Sequence, residues 1–154
     1  MDAIRWVQDL PFSTWIRESS WALFTWLILH VYAMASLAGS AAFIAARSFG
    51  VAPNVKPETL RKFIPVMWFG FFLALASGLL LLMAYPAKAL TNPVYYVKFV
   101  FLLAAVLLTR QLIRQANAGG TMSKPIAAAS LICWVGVISC GKLIEYTHSV
   151  LLVY

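Results

Sequence analysis

Charge is what this sequence has least of. Asp, Glu, Lys and Arg make up 11% of its 154 residues, only five of them acidic, while 62% are hydrophobic. A water-soluble domain carries roughly 25% charged residues. That much apolar surface cannot be hidden in one small core, so the solvent for this chain is lipid. Cysteine is limited to Cys133 and Cys140. Seven residues apart on one helical face, they sit about 10 Å apart along the axis. That is too far for a disulfide, and two thiols do not make a zinc cage. They read as small packing residues. No glycine-rich phosphate loop, nucleophile elbow, zinc-protease motif or Cys-x-x-Cys is present. No repeat of fixed period or low-complexity tract is present either.

What the chain has in their place is length of uncharged sequence. Ser19 to Ala46 and Phe63 to Ala87 hold no formal charge. Pro125 to Gly141 is also uncharged and continues apolar to Tyr154, broken by Lys142, Glu145 and His148. Pro93 to Ile113 contains only Lys98 and Arg110. Each run meets the roughly 20 residues a membrane-spanning helix needs. The expected fold is all-α, a four-transmembrane-helix bundle in a single integral membrane domain over 1–154. Its spans are expected at about 19–46, 63–86, 93–115 and 125–153. The first apolar run is too long for a signal-peptide core, and acidic residues precede it, so it reads as a span. Ahead of it, "MDAIRWVQDLPFSTWIRES" is amphipathic with two tryptophans and predicts a short interfacial helix. "PETL", in the first long loop, has Pro57 and Glu58 placed to open the second span.

Four spans put both termini on one side. Arg5, Arg17 and Lys88 lie there, balanced by Asp2, Asp9 and Glu18. The other side carries Arg47, Lys56, Arg61, Lys62, Arg110, Arg114 and Lys124 against Glu58 alone. The positive-inside rule then predicts periplasmic termini in a multi-pass protein of a bacterial inner membrane. The net charge of +7 follows from this topology and calls for no nucleic-acid partner. Aromatic residues crowd the side of the termini (Trp15, Trp21, Trp26, Tyr85, Tyr95, Tyr96, Tyr146 and Tyr154), whereas Trp68 and Trp134 fit the opposite interface.

Ionisable groups at membrane depth are costly, so each is a functional candidate. His30, Lys98, Lys142, Glu145 and His148 qualify. His30 falls roughly 13 Å and His148 roughly 9 Å from the outer ends of their helices, near enough in depth for two imidazoles to face one site. Haem b iron takes imidazole as an axial ligand, and a porphyrin suits an apolar bundle. Gly70, Ala74 and Gly78 form a stripe of small residues on the second span, open to close packing by a helix or a macrocycle. Arg17 and Lys98 could pair with haem propionates, or else form a surface pair with Glu18 and snorkel, respectively. Lys142 and Glu145 are spaced as an internal ion pair that would neutralise two charges lipid penalises, and Glu145 could instead support a metal-bound imidazole from behind. Copper is the alternative cofactor, with Met34, Met67, Met83 and the cysteines as soft ligands.

The runs "PFSTWIRES", "LHVYAMASLAGS", "FIPVMWFGFFLALASGLLLL" and "NPVYYVKFVFLLAA" resemble a family of short bacterial four-helix inner-membrane proteins of unknown function. The likeness covers roughly 10–114 and carries Arg17, Glu18, His30, Gly70, Gly78 and Lys98. The fourth span matches it only around "GKLIEY", and His148 lies outside it. In architecture the chain is also similar to transmembrane b-type cytochromes and copper-resistance membrane proteins.

The resulting expectation is a b-type cytochrome subunit with its haem near the periplasmic side. It would act within a homo-oligomer or larger membrane complex, exchanging electrons with quinol or a periplasmic redox protein. The competing expectations are a haem-free anchor or assembly subunit and a copper-handling membrane protein.

Overall fold

Proline sets the rhythm of this chain, because a ring at the first helical position costs no hydrogen bond and presets the backbone angle. The computed structural model describes residues 2–51, 55–119 and 121–150. It contains α1 (Asp2–Gln8), α2 (Pro11–Glu18), α3 (Ala22–Ser48), α4 (Pro57–Arg61), α5 (Phe63–Ala84), α6 (Pro86–Leu90), α7 (Pro93–Asn117) and α8 (Lys124–Val150). Four of these open on proline: α2, α4, α6 and α7. Asn92 caps α7, its side-chain oxygen accepting from Val94 N–H at 3.0 Å. At the far ends, Gly50 (φ 78°) and Gly119 (φ 70°) turn the chain out of α3 and α7 through the left-handed region, where a side chain would be strained.

Four helices, α3, α5, α7 and α8, are long and apolar enough to cross a membrane. The chain is a multi-pass membrane protein. Much of its bulky apolar surface points outward, as in Phe69, Phe72 and Leu79 on α5, Val100 and Leu103 on α7, and Val135 on α8. In water such a surface would aggregate, whereas in a bilayer it is simply solvated.

The N-terminal segment forms two short helices, where one was expected, with the break falling just before Pro11. Together with α6 they make a collar at one end of the bundle, packed on α5 and the start of α3. Ser13 and Ile16 of α2 face inward and are fully buried, whereas Phe12 and Trp15 lie outside. The 49–62 connection and the α7–α8 turn mark the opposite, basic end.

Helix α3 is the hub. It packs closely along α5 on one flank and α8 on the other, touches α7 less, and α7 pairs closely with α8. Helix α5 makes no comparable contact with α7 or α8, so the bundle is open on that side. Small residues set the close approaches. A Cβ on Gly70 would stand 3.1 Å from both Ala33 O and Ser36 Cβ, and one on Gly136 only 2.9 Å from the Phe101 ring. In lipid, where apolar burial drives little, such contacts and polar pairs hold helices together.

One expectation is corrected here. Trp134 is not an interfacial anchor but a buried core residue, 2% exposed, packed with Leu37, Ala41 and Ala105. Its indole N–H donates to Thr109 Oγ1 at 3.0 Å. The Thr109 hydroxyl in turn donates to Ala105 O at 2.7 Å and stands 3.0 Å from Ser130 Oγ. Ten residues into α8, the indole has a partner in the bundle and no need of the headgroups.

Candidate functional site

His30 lies two turns into α3, and its ring reaches across to α5. There Nδ1 is 3.0 Å from Ser77 Oγ. The Ser77 hydroxyl carries one proton and directs it to Leu73 O at 2.6 Å, the usual back-bond of a helical serine. With that proton so directed, its oxygen faces Nδ1 as an acceptor. The Ala74 carbonyl, a further acceptor, borders the ring as well. Two acceptors on α5 thus favour the tautomer protonated on Nδ1, in which Nε2 carries the lone pair.

Gly78 completes the seat. A Cβ there would come 3.3 Å from the imidazole Cε1. The stripe of small residues divides its work along α5: Gly70 receives the backbone of α3, Ala74 packs against the core, and Gly78 receives the histidine ring. Helix-to-helix approach and ring accommodation are therefore both uses of one stripe.

The ring is half-buried, and the charge of Lys98 on α7 is felt at it. No hydrogen bond or ion pair holds the Lys98 ammonium among the described residues. It occupies room left by Gly141, 3.9 Å from where a Cβ would stand, and the buried Cys140 is close by. An imidazole lone pair and an unpaired cation thus share the flank where the bundle is open between α5 and α7. Such a pair can take a ligand that combines an electron-pair acceptor with an anionic arm.

Arg17 is engaged nearby. Its Nη1 donates to Gln8 O and to Ala84 O, both at 3.2 Å, and Nη2 to Thr14 Oγ1 at 3.4 Å. Ala84 is the last residue of α5, so the guanidinium caps that helix where its dipole favours a cation. Arg17 thereby fastens the collar to the bundle, and Lys98 is the freer cation of the two.

Lys142 and Glu145 pair as expected, at 3.5 Å, but not inside the bundle: their side chains are 71% and 54% exposed, because this face of α8 has no neighbouring helix against it. The side chain of His148 lies outside the described residues. Its neighbour in the chain, Thr147, accepts from Asn92 Nδ2 at 2.6 Å, which pins the last turns of α8 to the start of α7.

Sequence reasoning weighed ionisable side chains and passed over hydroxyls, so it missed Ser77, Thr109 and Ser130. A signal for Ser77 was present, because it follows Gly70 by seven residues and belongs to the same face as the small-residue stripe. Among the described residues no three His, Cys, Asp or Glu stand together as a metal cage. Comparison with protein-family models, curated proteins and solved structures gives no match.

Proposed function

We propose that the chain is the membrane subunit of an electron-transfer system, a b-type cytochrome with His30 as an axial ligand of haem b and His148 as the second. The observation that carries this reading is the seat of His30 on α5, with Nδ1 3.0 Å from Ser77 Oγ. A hydrogen bond from the far ring nitrogen is how metal-ligating histidines are usually oriented and made more basic, and Ser77 supplies it.

The donor set suits haem better than a metal held by protein alone. A porphyrin brings four nitrogens of its own, so one or two imidazoles complete its iron. Bare copper would need several protein ligands beside His30, but among the described residues no three His, Cys, Asp or Glu cluster, and Met34 and Met67 pack against the core. Haem would supply a one-electron carrier. Around it Ser77 would hold the ligand ring, Gly78 would leave that ring its space, and Lys98 would pair with a propionate. Arg17 would strengthen the positive field at the collar end. Lys142 and Glu145 would face a neighbouring helix.

The same reading places the chain in a bacterial inner membrane with the collar end periplasmic, on the strength of the basic opposite end, and within the short four-helix family it resembles. One small bundle cannot complete a redox reaction alone. Quinol or a periplasmic redox protein would meet it at the collar, within a homo-oligomer or larger complex.

A second reading has its own support: His30 is also a satisfied packing residue seated on α5, as a haem-free anchor subunit would have. A reduced-minus-oxidised spectrum of protein purified from haem-replete membranes separates the two. A Soret shift with an α band is the expected result. A flat spectrum overturns the cytochrome reading, and metal analysis then decides between anchor and copper protein.

A further inference from the structure

The basic end holds a polar arrangement that the His30 site does not use. A cavity of about 380 Å³ opens between the last turn of α3 and the first turn of α8, with Arg47, Ser48, Gly50, Thr121 and Lys124 in its lining. Two of these side chains are cationic, two carry hydroxyls, and none is acidic.

Ser48 is 8% exposed. Neither its hydroxyl nor the buried Nη1 of Arg47 has a hydrogen-bond partner among the described residues. An arginine in the last turn of a helix ordinarily bonds the free carbonyls there. At the end of α3 two of these, Ala46 O and Arg47 O, already accept backbone N–H groups. The N–H groups of Phe49 and Val51 go to Ala46 O, and that of Gly50 goes to Arg47 O. The Gly50 turn therefore occupies those two carbonyls, and Arg47 Nη1 is left without a partner among the described residues. From the other side the cavity meets the N-terminal end of α8, whose dipole favours negative charge.

Buried donors without acceptors are rare because they are costly. Here two converge on one cavity, with a second cation and a helix N-terminus beside them. The acceptor that matches is compact, anionic and rich in lone pairs. We infer that this cavity binds a phosphate group, gripped by Arg47 and Lys124 from opposite helices with Ser48 and Thr121 donating to its oxygens. The ends of two spans sit where lipid headgroups lie, so the phosphate could belong to an anionic phospholipid or to a soluble phosphate compound.

The test uses the full chain in a neutral maltoside detergent, following its thermal unfolding by tryptophan fluorescence. Phosphatidylglycerol in mixed micelles, with diacylglycerol as the phosphate-free control, forms one arm. Inorganic phosphate against chloride at equal ionic strength forms the other. Saturable stabilisation by phosphatidylglycerol alone assigns a lipid phosphate, and stabilisation by inorganic phosphate assigns a soluble one. In either case Arg47→Gln should weaken binding tenfold or more, and Lys124→Gln and Ser48→Ala several-fold. Lys62→Gln, at the same end but outside the cavity, should leave it unchanged. Ser48→Ala and the exposed Lys124→Gln keep the test valid should Arg47→Gln fail to fold. No stabilisation in either arm overturns the inference. So does binding that survives all the cavity variants, or that Lys62→Gln weakens equally.

Discussion

Nδ1 of the His30 imidazole stands 3.0 Å from Ser77 Oγ across the α3–α5 contact, and Ser77 Oγ in turn lies 2.6 Å from Leu73 O. A serine back-bonded in this way favours the ring tautomer with Nε2 free. On the proposed cytochrome reading, His30→Ala is expected to abolish haem retention, leaving less than about a tenth of the wild-type Soret absorbance. His148→Ala should lower retention or shift the midpoint potential. Wild-type haem content in both variants would show that the ligands lie elsewhere.

Ser77→Ala removes the hydroxyl but keeps His30, the proposed ligand. Loss of such a supporting partner typically weakens metal binding about 10- to 100-fold, so the variant should release haem more readily and change its potential while His30 stays in place. Ser77→Thr, which restores the hydroxyl, should recover most of the loss. A haem titration with redox potentiometry reads both effects. Unchanged affinity and potential in Ser77→Ala would mean that the hydrogen bond only packs α3 on α5.

Thr109 takes the indole proton of Trp134 and stands beside Ser130 in a dry part of the bundle. Thr109→Val keeps the shape and strands the Trp134 N–H. The expected cost is about 1–2 kcal/mol, within the range for hydrogen bonds between membrane helices. Unfolding in a graded denaturing-detergent series measures it. Stability within experimental error of wild type would indicate that the indole finds another acceptor.

Close approach at Gly70 and Gly136 leads to a further prediction. A Cβ at Gly70 meets a backbone carbonyl, which cannot swing away, whereas one at Gly136 meets the Phe101 ring. Gly70→Ala should therefore cost about 1–3 kcal/mol, as overpacking does. Gly136→Ala should be recoverable by Phe101→Leu. The same denaturation series on the single and double variants reads the coupling, and an additive double variant would disprove the contact.

The spans were legible because lipid imposes a length and a composition. Expected bounds of 19–46, 63–86 and 93–115 compare with α3 at Ala22–Ser48, α5 at Phe63–Ala84 and α7 at Pro93–Asn117. His30 stood out as an unpaired imidazole in an apolar run. Helix rotation was far less legible. In water an apolar stripe marks the buried face, but on α5 both faces are apolar; the stripe of Gly70, Ala74 and Gly78 marks the packed face without saying that α3 is the helix that meets it. Trp134 was misplaced for the same reason. A tryptophan suits a headgroup belt or a core, and only the position of Thr109 on a neighbouring helix decides between them.

The closest helix contacts, α3 with α5 and α7 with α8, each join neighbours in the sequence, and α3 against α8 then couples the two pairs. Such a chain can enter the bilayer as two successive hairpins, each settled before the next emerges from the translocation machinery. The short α6 between them carries the backbone from one hairpin to the other at the collar. Severing the chain there should yield two fragments that reassemble when co-expressed, whereas a cut inside α4 would separate α3 from the helix it is built to meet.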